Sequence, residues 1–193
     1  MPRSMLTGLV MATGLALTSC GPGSEWPFAS QAAGKIGGPF QLVDMAGRPV
    51  TEKALIGKPT AVFFGFTYCP EVCPTTLTEL TAALRDIGPA ADWLNVVFIS
   101  MDPERDTPAQ MKTYLSNFDP RIRGFTGTPE AVAATAKAYR VYYKKAPLED
   151  GGYTIDHSSA VYLFDRQGQF IEPIGYGTPH DRVVSQLKAL AAG

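Results

Sequence analysis

One stretch constrains this chain more than any other: Ala61-Val62-Phe63-Phe64-Gly65-Phe66-Thr67-Tyr68-Cys69-Pro70-Glu71-Val72-Cys73-Pro74, an apolar run that stops at two cysteines four residues apart. The residues after Pro59 are small, aromatic or β-branched, the pattern of a strand buried on both faces, and Thr67 is the polar residue that ends it. Pro74 followed by Thr75-Thr76-Leu77-Thr78-Glu79-Leu80 reads as the first turn of a helix, where proline costs no hydrogen bond. A thiol pair therefore falls where a core strand gives way to a helix N-terminus. The partial positive charge there favours thiolate, the form that binds metal and attacks disulfides.

The four-residue spacing admits more than one chemistry. On a helical turn, i and i+4 share a face with Cβ atoms about 5–6 Å apart, close enough to chelate one small ion. A disulfide is also within reach, because bridged Cα atoms lie about 4.4–6.8 Å apart. Two buried cysteines acting as small hydrophobes is the third reading, and a proline-flanked pair at a strand end is a poor place for it. The spacing alone does not choose.

A β-α-β unit follows from the order of elements. Leu77, Leu80, Ala83, Leu84 and Ile87 recur at helical spacing, and Gly88-Pro89 ends that helix. Leu94 to Met101 is another buried strand, parallel to the first with a right-handed crossover. Thr107-Pro108 opens a helix to Phe118, Arg121 to Phe125 is a short strand, and Thr128-Pro129 opens a helix to about Arg140. Val141 to Lys145 and Gly152 to Ile155 flank a glycine turn and predict an inserted hairpin, while Phe40 to Val43 and Met45 to Val50 predict an N-terminal one. Ala160 to Asp165 and Phe170 to Ile174 form an antiparallel pair, and a last helix starting at Thr178-Pro179 carries Val183, Val184, Leu187 and Leu190 inward. The order is that of an α/β thioredoxin-like fold with an inserted hairpin and an N-terminal β-hairpin. Sites in open α/β sheets gather at the C-terminal ends of the parallel strands, so Cys69, Cys73 and the Asp102-Pro103-Glu104-Arg105-Asp106 loop belong on one rim.

The chain has 193 residues with 45% hydrophobic and 18% charged content, enough for one domain with a proper core. A formal net charge of -1 and no lysine–arginine cluster argue against a nucleic-acid partner. Three cysteines are too few for a disulfide framework, and the first belongs to a targeting segment. Arg3 followed by the apolar Met5 to Thr18 is too short to span a bilayer and reads as a signal peptide over residues 1–19. Leu17-Thr18-Ser19-Cys20-Gly21 resembles a bacterial lipobox, which implies lipidation of Cys20; a plain secretory signal with an incidental cysteine is the alternative. Residues 20–37, rich in glycine and proline, read as a tether, and the folded domain as residues 38–193.

Only two histidines are present. His157, in Asp156-His157-Ser158-Ser159, falls in the loop before the Ala160 strand, which abuts the cysteine loop in such a sheet. Two thiolates and an imidazole are a soft three-coordinate set suited to Cu(I), and able to accept Cu(II) with an added weak ligand; structural zinc would want a fourth protein ligand. Asp156 or a backbone carbonyl is expected to orient the ring through its second nitrogen. His180 reads as a solvated helix-start residue, and Met101 and Met111 as core residues ahead of soft ligands. Asp102, Glu104, Arg105 and Asp106 read equally as a solvated loop or as part of the rim.

Gly65 to Pro74, Ser100-Met101-Asp102-Pro103-Glu104-Arg105-Asp106-Thr107-Pro108 and Asp156-His157-Ser158 together resemble, in order, the three signature stretches of the Sco/SenC family, over about Gly38 to the C-terminus. The resemblance implies a thioredoxin-like domain tethered to a membrane and facing the periplasm or intermembrane space, with copper, as Cu(I) or Cu(II), held by Cys69, Cys73 and His157. It implies delivery of copper to the CuA site of cytochrome c oxidase during assembly, or reduction of that site's cysteines by a Cys69–Cys73 redox pair. The CuA-bearing subunit is the implied partner, with other periplasmic copper chaperones or thioredoxin-like reductases beside it. Asp102 matches the family's acidic loop residue and is expected in an outer-shell or partner role. Against an oxidoreductase, thioredoxin-type catalysts usually place two residues between their cysteines, whereas here there are three, and Ser158-Ser159 stands where they carry a cis-proline. A peroxidase with Cys69 as the attacking thiolate is a more distant alternative.

Overall fold

A strand without polar alternation needs cover on both faces, and the chain supplies it. Every residue of β3 (Thr60–Gly65) is buried, as are all but the first of β4 (Asn95–Ser100), which pairs with it in parallel from Thr60 opposite Asn95 to Gly65 opposite Ser100. The computed structural model describes Met1 and residues 35–149 and 151–192. The signal segment, Cys20 and most of the tether expected from the sequence lie outside the described residues.

Around that pair a seven-stranded sheet forms. It adds β1 (Gln41–Asp44), β2 (Pro49–Thr51), β5 (Ile122–Thr126), β8 (Val161–Phe164) and β9 (Phe170–Ile174), in the order β2-β1-β5-β4-β3-β8-β9. β5 is parallel to β4, whereas β8 is antiparallel to β3 and the N-terminal hairpin joins the sheet antiparallel to β5. Alternation along the central strands sends Phe63 and Phe98 to one face and Val62, Phe64, Val97 and Ile99 to the other.

On the first face lie α1 (Val72–Ile87), whose Leu77, Leu80 and Leu84 are buried, and α4 (His180–Ala192), which buries Val183, Leu187 and Leu190. Met111 and Leu115 of α2 (Pro108–Leu115) join that cluster, and Val132 and Ala136 of α3 (Pro129–Ala138) pack on the second face. Thr107 and Thr128 cap α2 and α3 by accepting from the N–H groups of Gln110 and Ala131, with proline at the first helical position of each. A separate two-stranded hairpin, β6 (Tyr143–Pro147) with β7 (Tyr153–His157), completes the thioredoxin-like architecture.

Boundaries moved for local reasons. The first helix begins at Val72, before Pro74, because proline's missing N–H is harmless anywhere in the first turn. The second ends at Leu115 and the third at Ala138, short of Phe118 and Arg140, and the last starts at His180 just after Pro179. The inserted hairpin runs two residues further than expected, so His157 closes a strand and does not lie in a loop. Met101 and Met111 are core residues, Met101 on the sheet face away from the thiols.

His180 is exposed, yet its two ring nitrogens lie 2.6 Å from Glu79 and 2.8 Å from Asp86, tying the start of α4 to α1. Asp86 first, then Glu79, raises its pKa above the ordinary histidine value. A raised folded-state pKa means that stabilisation is complete below about pH 6.5 and fades as pH rises through the folded value. In urea melts of wild type and His180→Gln, the difference in midpoint should therefore be larger at pH 6 than at pH 9. At Gly65, an added Cβ would meet Cys73 Sγ at 2.7 Å and Phe98 Cε2 at 2.8 Å. Gly65→Ala should cost about 1–3 kcal/mol of unfolding free energy, as overpacking does, because neither neighbour has room to retreat.

Candidate metal centre

β3 ends inside the core, and the chain must cross the rim before α1 can begin. Cys69 lies in that crossing, half-buried, and Cys73 is the second residue of α1 and buried. The pair thus straddles the helix start and does not share a helical face. A helix leaves its first N–H groups without intrahelical partners. One of them, the Cys73 N–H, donates to Cys69 Sγ at 3.3 Å.

This asymmetry separates the two thiols, which are both free. A hydrogen bond from the Cys73 thiol, outweighing the cost of partial burial and helped by His157 and by the Cys73 and Glu71 backbone, holds Cys69 far below an ordinary thiol, at about 4. Cys73 moves the other way, raised by its hydrogen bond to the Cys69 sulfur and by burial. One proton shared unequally by two sulfurs leaves the outer one anionic and the inner one protonated.

β7 brings the third group. The Cys69, Cys73 and His157 donor atoms lie within 4.8 Å of one another, and His157 Nε2 is 3.5 Å from Cys73 Sγ. The imidazole Nδ1 lies 2.9 Å from the Ser158 carbonyl oxygen. A carbonyl only accepts, so Nδ1 donates a proton to it and Nε2 is the nitrogen turned toward the sulfurs. The backbone of Ser158, not the exposed Asp156, orients the ring. Phe66 packs against the imidazole edge-on, with centroids 5.7 Å apart at 84°, and Phe63 lies 6.5 Å away. Two thiols and an imidazole with apolar walls form a soft donor set that favours copper in its monovalent state.

The acidic loop is divided in its work. Asp106 is buried and accepts from Thr67 N–H at 3.0 Å, Thr67 Oγ1 at 2.6 Å and Ser100 Oγ at 2.6 Å, which fixes the chain just before Cys69. Burial pushes its carboxyl up despite these bonds from Ser100 and Thr67. Asp102, fully buried, accepts from Arg105 Nε and, at 2.7 Å, from Tyr153 Oη, while its own N–H donates to Ser100 Oγ at 2.9 Å. It reaches the thiol loop through Ser100 and Asp106, which bonds Thr67, and through Arg105, whose guanidinium carbon is 4.8 Å from the Tyr68 ring centroid. The solvated reading of the loop holds for Glu104 alone, which is exposed and pairs with Lys145 at 2.6 Å. The Ser158 carbonyl is the backbone alternative expected from the sequence; Tyr153 was not anticipated, and the alternation of Tyr153, Ile155 and His157 along one strand face was its signal.

The sequence model of the SCO1/SenC family matches residues 28–192. The mitochondrial SCO1 homolog 1 of Arabidopsis thaliana is 46% identical over 158 residues, 81% of this chain and 46% of that protein. The structure of Bradyrhizobium japonicum ScoI with copper bound is 52% identical with a TM-score of 0.75, covering 80% of this chain and 99% of that one. The structure of Arabidopsis thaliana ScoI with copper bound is 41% identical with a TM-score of 0.76, covering 81% and 98%. The chain spans about half the length of the curated relatives it matches.

Because iodoacetamide reacts with thiolate, the reduced protein should be alkylated at Cys69 down to about pH 5, with Cys73 spared, as mass spectrometry of the peptides will show. Cys73→Ala removes the largest influence lowering Cys69, so its alkylation profile should shift to higher pH; an unmoved profile would contradict the shared-proton pair.

Proposed function

Because the chain belongs to the SCO1/SenC family, we propose that it binds one copper ion through Cys69, Cys73 and His157 and delivers it to the CuA site of cytochrome c oxidase during assembly. The observation that carries this reading is the convergence of two sulfurs and an imidazole nitrogen, from two segments more than eighty residues apart, within 4.8 Å. No carboxylate shares that grouping among the described residues, which suits a soft ion over calcium or magnesium. Copper here is cargo. A half-buried Cys69 on the rim lets a partner's soft ligands approach one sulfur while Cys73 and His157 keep hold, so transfer can proceed by ligand exchange.

The same pair supports a second reading, a thiol-disulfide oxidoreductase that prepares the recipient's cysteines. The specific observation in its favour is a half-buried anionic Cys69 beside a buried, protonated Cys73. Cys69 thiolate would attack a CuA-site disulfide, releasing one partner thiolate and forming a mixed disulfide. Cys73, giving up its proton, would then attack Cys69 Sγ, releasing the second partner thiolate and leaving a Cys69–Cys73 disulfide. Two electrons pass to the partner, and a thioredoxin-like reductase would have to restore them.

The proposed setting is a bacterial cell envelope, with the domain facing the periplasm from a lipid on Cys20, although the Arabidopsis relative is mitochondrial. Among the described residues no helix is long and apolar enough to cross a membrane. Lipid attachment is testable by mass spectrometry of the Cys20 peptide from membrane fractions.

Anaerobic addition of Cu(I) to the reduced protein should give one copper per chain, with none retained after oxidation to the disulfide. His157→Ala should hold copper at least about tenfold more weakly, on the scale of losing one group from a metal site, and Cys69→Ala should abolish stoichiometric binding. Unchanged affinity in Cys69→Ala would sink the metal reading, and rapid reduction of an oxidised CuA domain by the copper-free protein would favour the second.

A further inference from the structure

We propose that Arg105 is the positioning residue for His157, clamping the β6–β7 hairpin to the cysteine loop so that the imidazole stays against the thiols. Its functional weight rests on the copper reading above, but the clamp itself is geometric.

The hairpin needs such a device. It pairs with no strand of the seven-stranded sheet, and an isolated two-stranded hairpin is at best marginally stable in water. Its seat must therefore come from side chains. Alternation puts Tyr153, Ile155 and His157 on one face of β7, and Ile155 is buried in the core cluster that contains Cys73. Burial of one isoleucine is non-directional and fixes depth, not tilt. The hydrogen bonds of the His157 ring go to the adjacent Ser158 carbonyl and to Cys73 itself, and its other contacts are with the rings of Phe63 and Phe66.

The directional contacts are at the other end of the strand. Arg105 Nη1 donates to the Tyr153 carbonyl at 2.9 Å, and the guanidinium carbon stands 3.9 Å from the Tyr153 ring centroid. The same group is 4.8 Å from the Tyr68 centroid and 5.8 Å from that of Phe66, the residues leading into Cys69. Phe66 in turn is the ring that meets His157 edge-on. Asp102 takes Arg105 Nε on one oxygen and the Tyr153 hydroxyl on the other, so the fork cannot swivel. Lys145 of β6 adds a cation 4.4 Å from the Tyr153 centroid. A planar guanidinium can donate along two edges while its faces cover rings, which an ammonium cannot reproduce.

The test uses the full chain as Arg105→Ala, His157→Ala and the double variant, with circular dichroism to confirm folding. Arg105→Ala should weaken Cu(I) retention by about tenfold, as loss of a supporting group commonly does. Combined with His157→Ala it should add nothing further, since the two act through one ligand. Copper retention unchanged in Arg105→Ala, or fully additive losses, overturns the clamp. Arg105→Lys keeps charge and stem and carries the same test if the alanine variant does not fold. A copper-free readout separates this proposal from the metal reading. In the reduced apoprotein, NMR cross-peaks between the His157 and Phe66 rings should be lost in the Arg105 variants while those of Ile155 persist. Their survival overturns the clamp; their loss in a protein that takes no copper upholds the clamp and overturns the metal reading.

Discussion

Everything at the rim depends on the burial of β3 on both faces. Val62, Phe63 and Phe64 are each at most 1% exposed, and full burial of such side chains contributes about 1.5–3 kcal/mol apiece. A single rim hydrogen bond adds about 1 kcal/mol. The strand's depth and direction are therefore decided by the core, and the polar loop after Phe66 takes its place wherever the strand delivers it. Gly65 shows how tight that delivery is, because the space a side chain would fill belongs to Cys73 Sγ and the Phe98 ring.

The cysteines divide their labour through their position at the helix start. Cys73 is inside α1 and buried, whereas Cys69 lies outside and receives the Cys73 N–H. A negative sulfur at a helix N-terminus satisfies an orphan donor and faces the positive end of the macrodipole. The same placement serves ligand exchange and disulfide exchange, since both require one accessible sulfur and one retained. Two held sulfurs and an imidazole need no rearrangement of the core to receive an ion, only departure of the proton the sulfurs share.

Much of this was legible in the residues. The helix caps at Thr107-Pro108 and Thr128-Pro129 are local chemistry and were found in place, as were the parallel β3–β4 crossover and the antiparallel β8–β9 pair. The approach of His157 to the sulfurs followed from strand order. What was misread depended on neighbours distant in sequence. Asp102, Arg105 and Asp106 looked like solvated loop residues as readily as rim residues, yet Asp102 and Asp106 are buried, because Ser100, Thr67 and Tyr153 supply the hydrogen bonds that make burial of a carboxylate tolerable. His180 is the exposed helix-start residue expected, but its partners Glu79 and Asp86 lie about a hundred positions earlier and were not foreseen.

Periodicity, proline and cap residues act over a few positions, so the sequence by itself determined the order of strands and helices, the thiol pair at a strand-to-helix junction and the choice of soft donors. Distances between segments are set by how whole faces pack, and no local pattern encodes them. Only the tertiary structure decided that Cys69 stands outside the helix while Cys73 lies within it, that Ser158 orients the imidazole, and that Arg105 joins the hairpin to the cysteine loop.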